Sequence, residues 1–279
     1  MLPLSAQKNI ILTGATGFLG HYLLAAFLRE ERLRCFVPLR PPLEQARERL
    51  ADLLRALGHD LEALVARGRI VVAAGLLPDG LDPAAFGGVD LIVHAAGSTR
   101  FRAAASGEPF RTNVEGTTAM LELADTLDVR RFVHVSTAYV CGRRDGAVPE
   151  AIFADPPQFN NDYERSKWEA ERRVWAWARN GRTAAICRPS ILLGDRAAGR
   201  ATNLSGVYVI ARAMDVLARA VTQEPETDRH RVPLRIIGRA DRRINVTPVC
   251  WTAEQIARIA LAAASDNTVR HVTNPDPPT

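Results

Sequence analysis

The chain has 279 residues, 47% of them hydrophobic and 24% charged, which suits one or two globular domains with a sizeable core. Its net charge is +5, but the arginines are spread through alanine-rich segments without interleaved aromatic residues, which argues against a nucleic-acid groove. The sequence contains no run of about 18 apolar residues, and its first apolar stretch leads directly into a glycine-rich turn. We therefore expect no membrane span and no signal peptide, and we predict a cytoplasmic protein.

The cysteines are widely separated and include no Cys-x-x-Cys pair and no nearby histidine at metal-binding spacing. They are Cys35, Cys141, Cys187 and Cys250. This pattern favours reduced thiols that pack as small apolar groups, and it predicts no metal site.

From residue 9 to residue 188 the chain alternates strand patterns with helical patterns. The predicted strands are short apolar runs at residues 9–12, 34–38, 69–73, 90–94, 131–136 and 183–188. The predicted helices have apolar residues at helical spacing and lie at residues 18–29, 43–57, 113–126 and 162–179. The alternation predicts an α/β fold of the Rossmann type, a doubly wound parallel sheet with helices on both faces.

The remainder of the chain is less regular. Its pattern predicts a helix at 207–221, a polar break at 222–231, short strands at 234–237 and 244–247, a helix at 252–264 and a strand at 270–273. We expect residues 1–190 to form a dinucleotide-binding domain. Residues 191–279 then form a small substrate-binding elaboration, interleaved with late sheet strands, over the carboxyl edge where doubly wound sheets bind ligands.

A glycine-rich turn follows the first predicted strand. Gly14, Gly17 and Gly20 are spaced by three residues between an apolar run and a helical pattern. Such a turn allows the backbone to approach a pyrophosphate closely and aims N–H groups and the positive helix end at it. The alternative is a turn that joins strand to helix and binds nothing.

Tyr163 and Lys167 form a Tyr-x-x-x-Lys pair in a chain that uses arginine almost everywhere else. Lys8 and Lys167 are its only lysines among 36 basic residues, and it has four tyrosines. Chance predicts roughly 0.03 such pairs here, so the motif is informative. On a helix both side chains share one face and can reach one ligand, and a lysine supplies a compact ammonium. The alternative is a surface tyrosine beside a surface lysine.

Six motifs occur in the order found in one family. They are Thr-Gly-Ala-Thr-Gly-Phe-Leu-Gly at 13–20, His-Ala-Ala-Gly at 94–97, Asn-Val-Glu-Gly-Thr at 113–117, Val-Ser-Thr-Ala-Tyr-Val at 135–140, the Tyr-x-x-x-Lys pair, and Arg-Pro-Ser-Ile at 188–191. The chain resembles the extended short-chain dehydrogenase/reductases. Within them it is most similar to the thioester reductase and fatty acyl reductase branch, also called the male-sterility domain, because of the arginine-rich insertion at 41–67, the form of the motif at 135–140 and the terminal His-Val-Thr-Asn-Pro-Asp-Pro.

The resemblance implies four catalytic residues. Tyr163 is the expected general acid, Lys167 binds the nicotinamide ribose and eases proton transfer, and Thr137 polarises the substrate carbonyl. Reduction of a carbonyl builds an alkoxide, which needs hydrogen-bond donors and a delivered proton. Ser136 is a competing hydroxyl. Asn113 is the fourth residue, with helix capping as the alternative explanation for it.

The same resemblance implies an NADP site. The expected cofactor-binding residues are Gly14, Thr16, Gly17, Phe18, Leu19, Gly20, Arg40, Ala95, Ala96, Gly97, Tyr163, Lys167, Pro189 and Ser190. NADP is favoured over NAD because no acid follows the second strand, whereas Arg40 does, and a guanidinium can fork onto a 2′-phosphate. Arg34 is a second candidate for that contact. Leu76 stands where relatives usually have an aspartate before the adenine pocket, so the adenine contacts are not predicted.

The leading functional hypothesis is an NADPH-dependent oxidoreductase that reduces an acyl thioester, or the aldehyde derived from it. The acyl group would be presented on coenzyme A or on an acyl or peptidyl carrier protein. The alternatives are a sugar-nucleotide epimerase or dehydratase or a hydroxysteroid-type dehydrogenase of the same superfamily, and a catalytically idle NADP-binding sensor or scaffold. Four arginines either rim the pocket mouth or are ordinary loop residues: Arg143, Arg144, Arg196 and Arg200.

Overall fold

The computed structural model describes residues 7–179, 181–199, 201, 207–221, 243–263 and 266–278. The strands in this part of the chain are β1 Lys8–Thr13, β2 Leu33–Leu39, β3 Ile70–Leu76, β4 Gly80–Leu81, β5 Leu91–His94, β6 Arg131–Val135, β7 Thr183–Pro189, β8 Ile191–Leu193, β9 Val246–Pro248 and β10 Thr268–Val272. Eight of them form one sheet in the order β10-β7-β6-β5-β1-β2-β3-β4, and β8 pairs with β9 separately. Only the β3–β4 pair of the large sheet is antiparallel.

Helices cover both faces of this sheet. They are α1 Gly20–Leu28, α2 Leu43–Arg55, α3 Leu61–Ala66, α4 Gly116–Thr126, α5 Asp162–Trp177, α6 Val207–Val221 and α7 Val249–Leu261. Side chains of alternate strand residues point to opposite faces. In β1, Ile10 and Leu12 therefore join a core with α1, α2 and α7, while Ile11 joins a second core with α4 and the carboxyl end of α5. The predicted α/β, doubly wound Rossmann-type architecture is confirmed.

Several elements differ from the sequence prediction. The insertion after β2 forms two helices rather than one, because Asp60 starts α3 by accepting hydrogen bonds from the N–H groups of Glu62 and Ala63. The helix expected at 113–126 begins at Gly116 and is preceded by a π-helical turn, Arg111–Glu115. The short strands β4 and β8 were not predicted. The polar break at 222–231 and the strand at 234–237 lie outside the described residues.

The last described elements of the chain pack onto the rest of the sheet. Strand β10 extends the main sheet beside β7, with Val272 opposite Pro189, and α7 packs against α1. Buried in this sheet, Cys35 and Cys187 have thiol pKa values raised to about 12 by the loss of solvent. A domain boundary near residue 190 stays a prediction. Among the helices of the described part, none is long and apolar enough to cross a membrane.

Candidate active site

The turn between β1 and α1 has two positions, Gly14 and Gly20, at which no side chain fits. Gly14 has a φ of +76°, and a Cβ on it would lie 2.7 Å from the backbone nitrogen of Ala96. A Cβ on Gly20 would collide with the carbonyl oxygen of Gly14. The turn is closed by a 2.8 Å hydrogen bond from the N–H of Gly17 to the same oxygen. The two glycines therefore permit the tight turn and the close packing of the first helix against the strand ends, which fits the glycine pattern of a dinucleotide-binding turn.

A hydroxyl ties the turn to the neighbouring strand. The N–H of Ala96 donates to Thr13 Oγ1 at 3.1 Å, and that oxygen lies 2.8 Å from Nδ1 of His94. Thr13 ends β1 and His94 ends β5, so the bonds join the carboxyl ends of two adjacent parallel strands. The segment that follows His94 is thereby held against the glycine turn.

Helix α5 presents Tyr163 and Lys167 on one face. Asn161 caps the helix by accepting from the N–H of Glu164 at 2.9 Å. The carboxylate of Glu164 in turn accepts the N–H of Asn160 at 2.8 Å. These local bonds begin the helix one residue before Tyr163, which places the phenol in its first turn and the ammonium one turn later.

Lys167 is buried, and uncharged groups hold its ammonium. Its Nζ donates to the carbonyl of Val135 at 2.7 Å and lies 3.3 Å from Nε2 of His134. Burial lowers the pKa of Lys167 to about 8, while the charge of Glu171 acts in the opposite direction. The surface interpretation of the Tyr-x-x-x-Lys pair is therefore wrong, because this lysine is enclosed by the end of β6.

Thr137 and Tyr163 are brought together in the structure. Thr137 follows β6 and caps a short 3-10 turn, Ala138–Cys141. Burial raises the pKa of Tyr163, and the charge of Glu164 also raises it, whereas a hydrogen bond with the Thr137 side chain lowers it. The net direction is upward, so the phenol keeps its proton at neutral pH. The competing hydroxyl of Ser136 is buried, with no partner for its Oγ among the described residues.

Asn113 is not a helix cap. It lies inside the π-helical turn, and its Oδ1 accepts from the N–H of Ser98 at 2.7 Å. Its Nδ2 donates to the carbonyl of Ser98 at 2.9 Å and to Ser166 Oγ at 2.8 Å. The buried amide therefore joins the loop after β5 to α5 beside Lys167, and the capping explanation fails because long-range contacts use the whole side chain.

The segment Ala95 to Gly97 lies between the glycine turn and the catalytic candidates. On one side, a Cβ added to Gly14 would collide with the backbone of Ala95 and Ala96. On the other side, a Cβ added to Gly97 would lie 3.2 Å from Asn113 Oδ1 and 4.0 Å from Lys167 Nζ. The segment is therefore packed closely against both the glycine turn and the catalytic candidates, and larger side chains would not fit at Gly97 without displacing Asn113.

The other predicted cofactor residues lie around the same edge. Arg40 is exposed and directly follows β2 at its carboxyl end, next to the strand that leads into the glycine turn. Thr16, Phe18 and Leu19 are partly buried in that turn. Pro189 ends β7. The buried Ser190 Oγ lies 3.2 Å from Thr247 Oγ1, so Ser190 links the end of β7 to β9.

Arg34 is wrongly placed for a 2′-phosphate contact. It lies near the amino end of β2, at the edge of the sheet opposite the glycine turn, and pairs in register with Asn9. Its Nε donates to the carbonyl of Gly68 at 2.9 Å. The arginine is therefore a structural residue, and Arg40 is the remaining candidate of the two.

Sequence reasoning missed a buried ion pair behind the site. The exposed fractions of the Arg188 and Glu171 side chains are 0% and 1%, and two hydrogen bonds of 2.9 and 2.7 Å join guanidinium to carboxylate. Arg188 also donates to the carbonyl of Ala151 and stacks 4.6 Å from the ring centre of Phe153. The pair fastens α5 to β7. The sequence signal that could have revealed a buried Glu171 is its spacing, four residues after Lys167 and therefore on the same face of the helix.

An exposed aromatic ring stands at the mouth of the site. Phe101 follows the Ala95 to Gly97 segment, is 63% exposed, and its ring centre is 6.4 Å from that of Tyr163. Its loop is held to α5, because the N–H of Asp162 donates to the Phe101 carbonyl and the Asp162 carboxylate accepts from Ala103 at 2.7 Å. The ring is thus an apolar surface fixed beside the phenol.

Two of the four arginines suggested as a pocket rim have partners of their own. Arg143 donates to Asn160 at 3.0 Å, and Arg144 stacks 4.3 Å from the ring centre of Phe153. Arg196 is exposed, and Arg200 lies outside the described residues. The first two arginines therefore stabilise the loop around Phe153.

Comparison with known proteins gives a consistent family. A family model of NAD-binding proteins, described as "Male sterility protein", matches residues 12–256. Fatty acyl-CoA reductase 1 of Xenopus laevis is 28% identical over 58% of this chain and 34% of its own length. The solved terminal R domain from the myxalamid PKS-NRPS biosynthetic pathway is 25% identical, with a TM-score of 0.77, and the match covers 98% of this chain and 67% of that one.

The curated relatives are much longer than this chain. An isonitrile lipopeptide synthase of Mycobacterium tuberculosis is 28% identical over 98% of the chain, yet the chain spans only 12% of that protein. It likewise spans about a third of the Xenopus reductase, for which the covered share is 34%. The similarity therefore concerns a reductase-sized segment and not the whole of these proteins.

Proposed function

This chain belongs to the male sterility protein family, and from that premise we propose that it is an NADPH-dependent reductase of an acyl thioester, or of the aldehyde derived from it. The family lies in the extended short-chain dehydrogenase/reductases, and its members include acyl reductases, so the resemblance seen in the motifs is confirmed. The observation on which the proposal depends most is the enclosed set of Thr137, Tyr163 and Lys167. A protein that only binds a dinucleotide has no need of a phenol fixed at that point.

Each residue of this set has a defined task in the proposed reaction. A bound reduced nicotinamide would supply the hydride for the carbonyl carbon. With a thioester, hydride and proton addition gives a hemithioacetal, whose C–S bond then breaks to release the thiol and the aldehyde; with an aldehyde, the product is the alcohol. Tyr163 donates its proton to the oxygen that becomes an alkoxide, and its raised pKa keeps that proton available at neutral pH. Thr137 lies close enough to the phenol to lower its pKa, and in the proposed reaction it adds a second hydroxyl at the same oxygen. Lys167, one helical turn after Tyr163, holds the ribose through its ammonium.

The geometry around the glycine turn supports a dinucleotide. Gly14 and Gly20 allow the tight turn that leads into α1. The backbone N–H groups at the amino end of this helix are where a pyrophosphate is stabilised. Arg40 is the basis for preferring NADPH over NADH. It follows β2 where NAD-binding folds place an acid on the ribose hydroxyls, and a guanidinium there binds a 2′-phosphate through charge-assisted hydrogen bonds.

The exposed ring of Phe101 favours an acyl substrate over a sugar nucleotide. It offers an apolar surface 6.4 Å from the Tyr163 ring. A sugar diphosphate needs several charged or amide donors near the phenol, whereas an acyl chain or pantetheine arm gains from burying such a ring. We propose coenzyme A or a carrier protein as the group that presents the acyl chain, because the Xenopus relative is a fatty acyl-CoA reductase and a similar solved structure is a thiolation-reductase di-domain.

The test has two parts. Steady-state consumption of NADPH is measured against acyl-coenzyme A thioesters of increasing length and the corresponding aldehydes. Sugar nucleotides are incubated with the oxidised cofactor and their products are analysed directly, because epimerases and dehydratases return the hydride and consume no net cofactor. We expect turnover with a thioester or aldehyde and none with sugar nucleotides. Turnover of a sugar nucleotide alone would establish the epimerase or dehydratase alternative. Nucleotide binding without turnover on the whole panel would favour the sensor or scaffold alternative.

A further inference from the structure

Two buried histidines stand beside Lys167, and the proposed reaction uses neither of them. His94 and His134 are partners in the register of β5 and β6, and their rings stack with centres 5.6 Å apart at an interplanar angle of 28°. Burial holds the pKa of His94 at about 3 and that of His134 well below its ordinary value, and the charge of Lys167 acts in the same direction. Both imidazoles are therefore neutral at physiological pH.

The hydrogen bonds assign a tautomer to His134 but not to His94. Thr13 Oγ1 accepts from the N–H of Ala96 and lies 2.8 Å from Nδ1 of His94, and it can either donate to that nitrogen or accept from it. The ammonium of Lys167 can only donate, so Nε2 of His134 accepts from it at 3.3 Å and the ring proton is on Nδ1. That Nδ1 has no partner among the described residues.

This arrangement is costly for the fold and useful only to Lys167. A buried N–H without a partner destabilises the folded state, and leucine or valine would occupy a buried strand position without that loss. The ring supplies an uncharged acceptor to an ammonium that, within the described chain, has no carboxylate at ion-pair distance. Glu171, one turn further along α5, is already engaged by Arg188.

Other titratable groups face the ammonium but do not bond to it. Tyr163 precedes it by one helical turn, Glu171 follows by one turn with Arg188 bound to its carboxylate, and His94 lies behind the ring of His134. In the part of the chain that is described, His134 is the only titratable side chain within hydrogen-bonding distance of Lys167 Nζ.

We propose that His134 is a positioning residue, whose Nε2 holds the Lys167 ammonium beside Gly97 and keeps it charged without contacting cofactor or substrate. The inference rests on the proposed role of Lys167 at the nicotinamide ribose. Val135 takes one ammonium hydrogen and His134 a second, which leaves the third for a ribose hydroxyl. Without the imidazole, the ammonium keeps a single fixed acceptor and loses its proton more easily.

The experiment measures the dissociation constant of NADPH or NADH, whichever binds more tightly, as a function of pH. In the unmodified protein the affinity should fall above about pH 8, where Lys167 loses its proton. His134→Leu should move this decline to lower pH by about one unit or more, the scale of one hydrogen bond to a charged group. His134→Gln, whose side-chain oxygen reaches the Nε2 position, should leave the midpoint within roughly 0.3 units of the original.

Two further variants complete the design. His94→Leu removes the other imidazole of the stack, which does not touch Lys167, and should not move the midpoint. His134→Asn keeps a polar side chain too short to reach Nζ, so it should act like His134→Leu, and it replaces that variant if the leucine protein does not fold.

Lys167→Ala separates failure of this inference from failure of the proposed function. If Lys167→Ala abolishes the alkaline decline but His134→Leu and His134→Asn leave the midpoint unchanged, the positioning role of His134 is wrong while the role of Lys167 stands. If Lys167→Ala retains the decline, the role of Lys167 is wrong, and the inference about His134 is overturned with it.

Discussion

The glycine turn and helix α5 lie at the same edge of the sheet but prepare it for ligands in opposite ways. The turn contains no ionisable side chain between Thr13 and Gly20 and acts through backbone that a Cβ would block. Helix α5 instead places charged side chains, Lys167 and Glu171, in the interior. The glycine turn therefore depends on residues without side chains. Helix α5 depends on buried charged side chains that need hydrogen-bonding partners from neighbouring strands.

This difference separates local from long-range information. The turn is closed locally by the bond from Gly17 to Gly14, and only the contact that excludes a side chain at Gly14 comes from residues distant in sequence, Ala95 and Ala96. Lys167, in contrast, depends on Val135 and His134, and Glu171 depends on Arg188, all from strands distant in sequence. We therefore expect changes in the turn to affect nucleotide binding first, and changes behind α5 to affect the stability of the whole site.

The largest effect should come from breaking the buried ion pair. Arg188→Leu leaves the Glu171 carboxylate buried without its partner, so the free energy of unfolding should fall by about 3–5 kcal/mol. The control is Arg55→Ala, which breaks the exposed pair with Asp52 and should cost about 0.5 kcal/mol or less. Urea denaturation measures both. Replacing both buried partners by Met and Leu should recover most of the loss, and a double variant no better than Arg188→Leu would contradict the electrostatic explanation.

The next effect is on chemistry alone. Tyr163→Phe should lower turnover by about 100-fold or more, because positioned proton transfer contributes on the order of 10²- to 10⁴-fold. Nucleotide affinity and the unfolding midpoint should change little, since the substitution removes a single hydroxyl and leaves the aromatic ring in place. Steady-state kinetics with the best substrate of the panel gives the rate. Near-normal turnover of this variant would refute the assignment of the acid.

Within the glycine turn, Gly14→Ala should weaken nucleotide binding by about tenfold or more. The new Cβ would lie 2.7 Å from backbone atoms of the neighbouring strand end, which cannot yield as a side chain can. Gly58→Ala is the matched control, because Gly58 also has a positive φ, of +81°, but open space around it. It should lose roughly 1–2 kcal/mol of stability from backbone strain alone and bind nucleotide normally. Equal affinity losses in the two variants would show that strain, not contact, is responsible.

The smallest effect concerns the choice of cofactor. Arg40→Ala should narrow the preference for NADPH over NADH by roughly 1–3 kcal/mol, the scale of a charge-assisted hydrogen bond. Arg34→Ala removes an arginine from the same strand, at the opposite edge of the sheet, and should leave the preference unchanged. Fluorescence titration with both nucleotides measures the preference. The role of Arg40 is wrong if the unmodified protein binds the two equally.

Much of the fold was accessible from local pattern. Strand and helix periodicity predicted the main parallel strands and the helices around them, since apolar spacing reports directly which face is buried. The errors in the predicted helices occur where a side-chain contact, and not apolar spacing, sets the helix boundary. The start of α4 was displaced because the side chain of Asn113 is used by Ser98 and Ser166 rather than by its own helix. The helix α3 was missed although Asp60 supplies its cap.

By itself, the sequence determined the family, the fold class, the glycine turn and the Tyr-x-x-x-Lys spacing, because these depend on residues close together in the chain. Only the tertiary structure decided that Lys167 is buried beside His134, that Asn113 joins two elements and that Arg34 lies at the wrong edge. The reason is physical. Burial, ion pairing and the partner of a hydrogen bond depend on which strands become neighbours, and that order arises only when the sheet assembles.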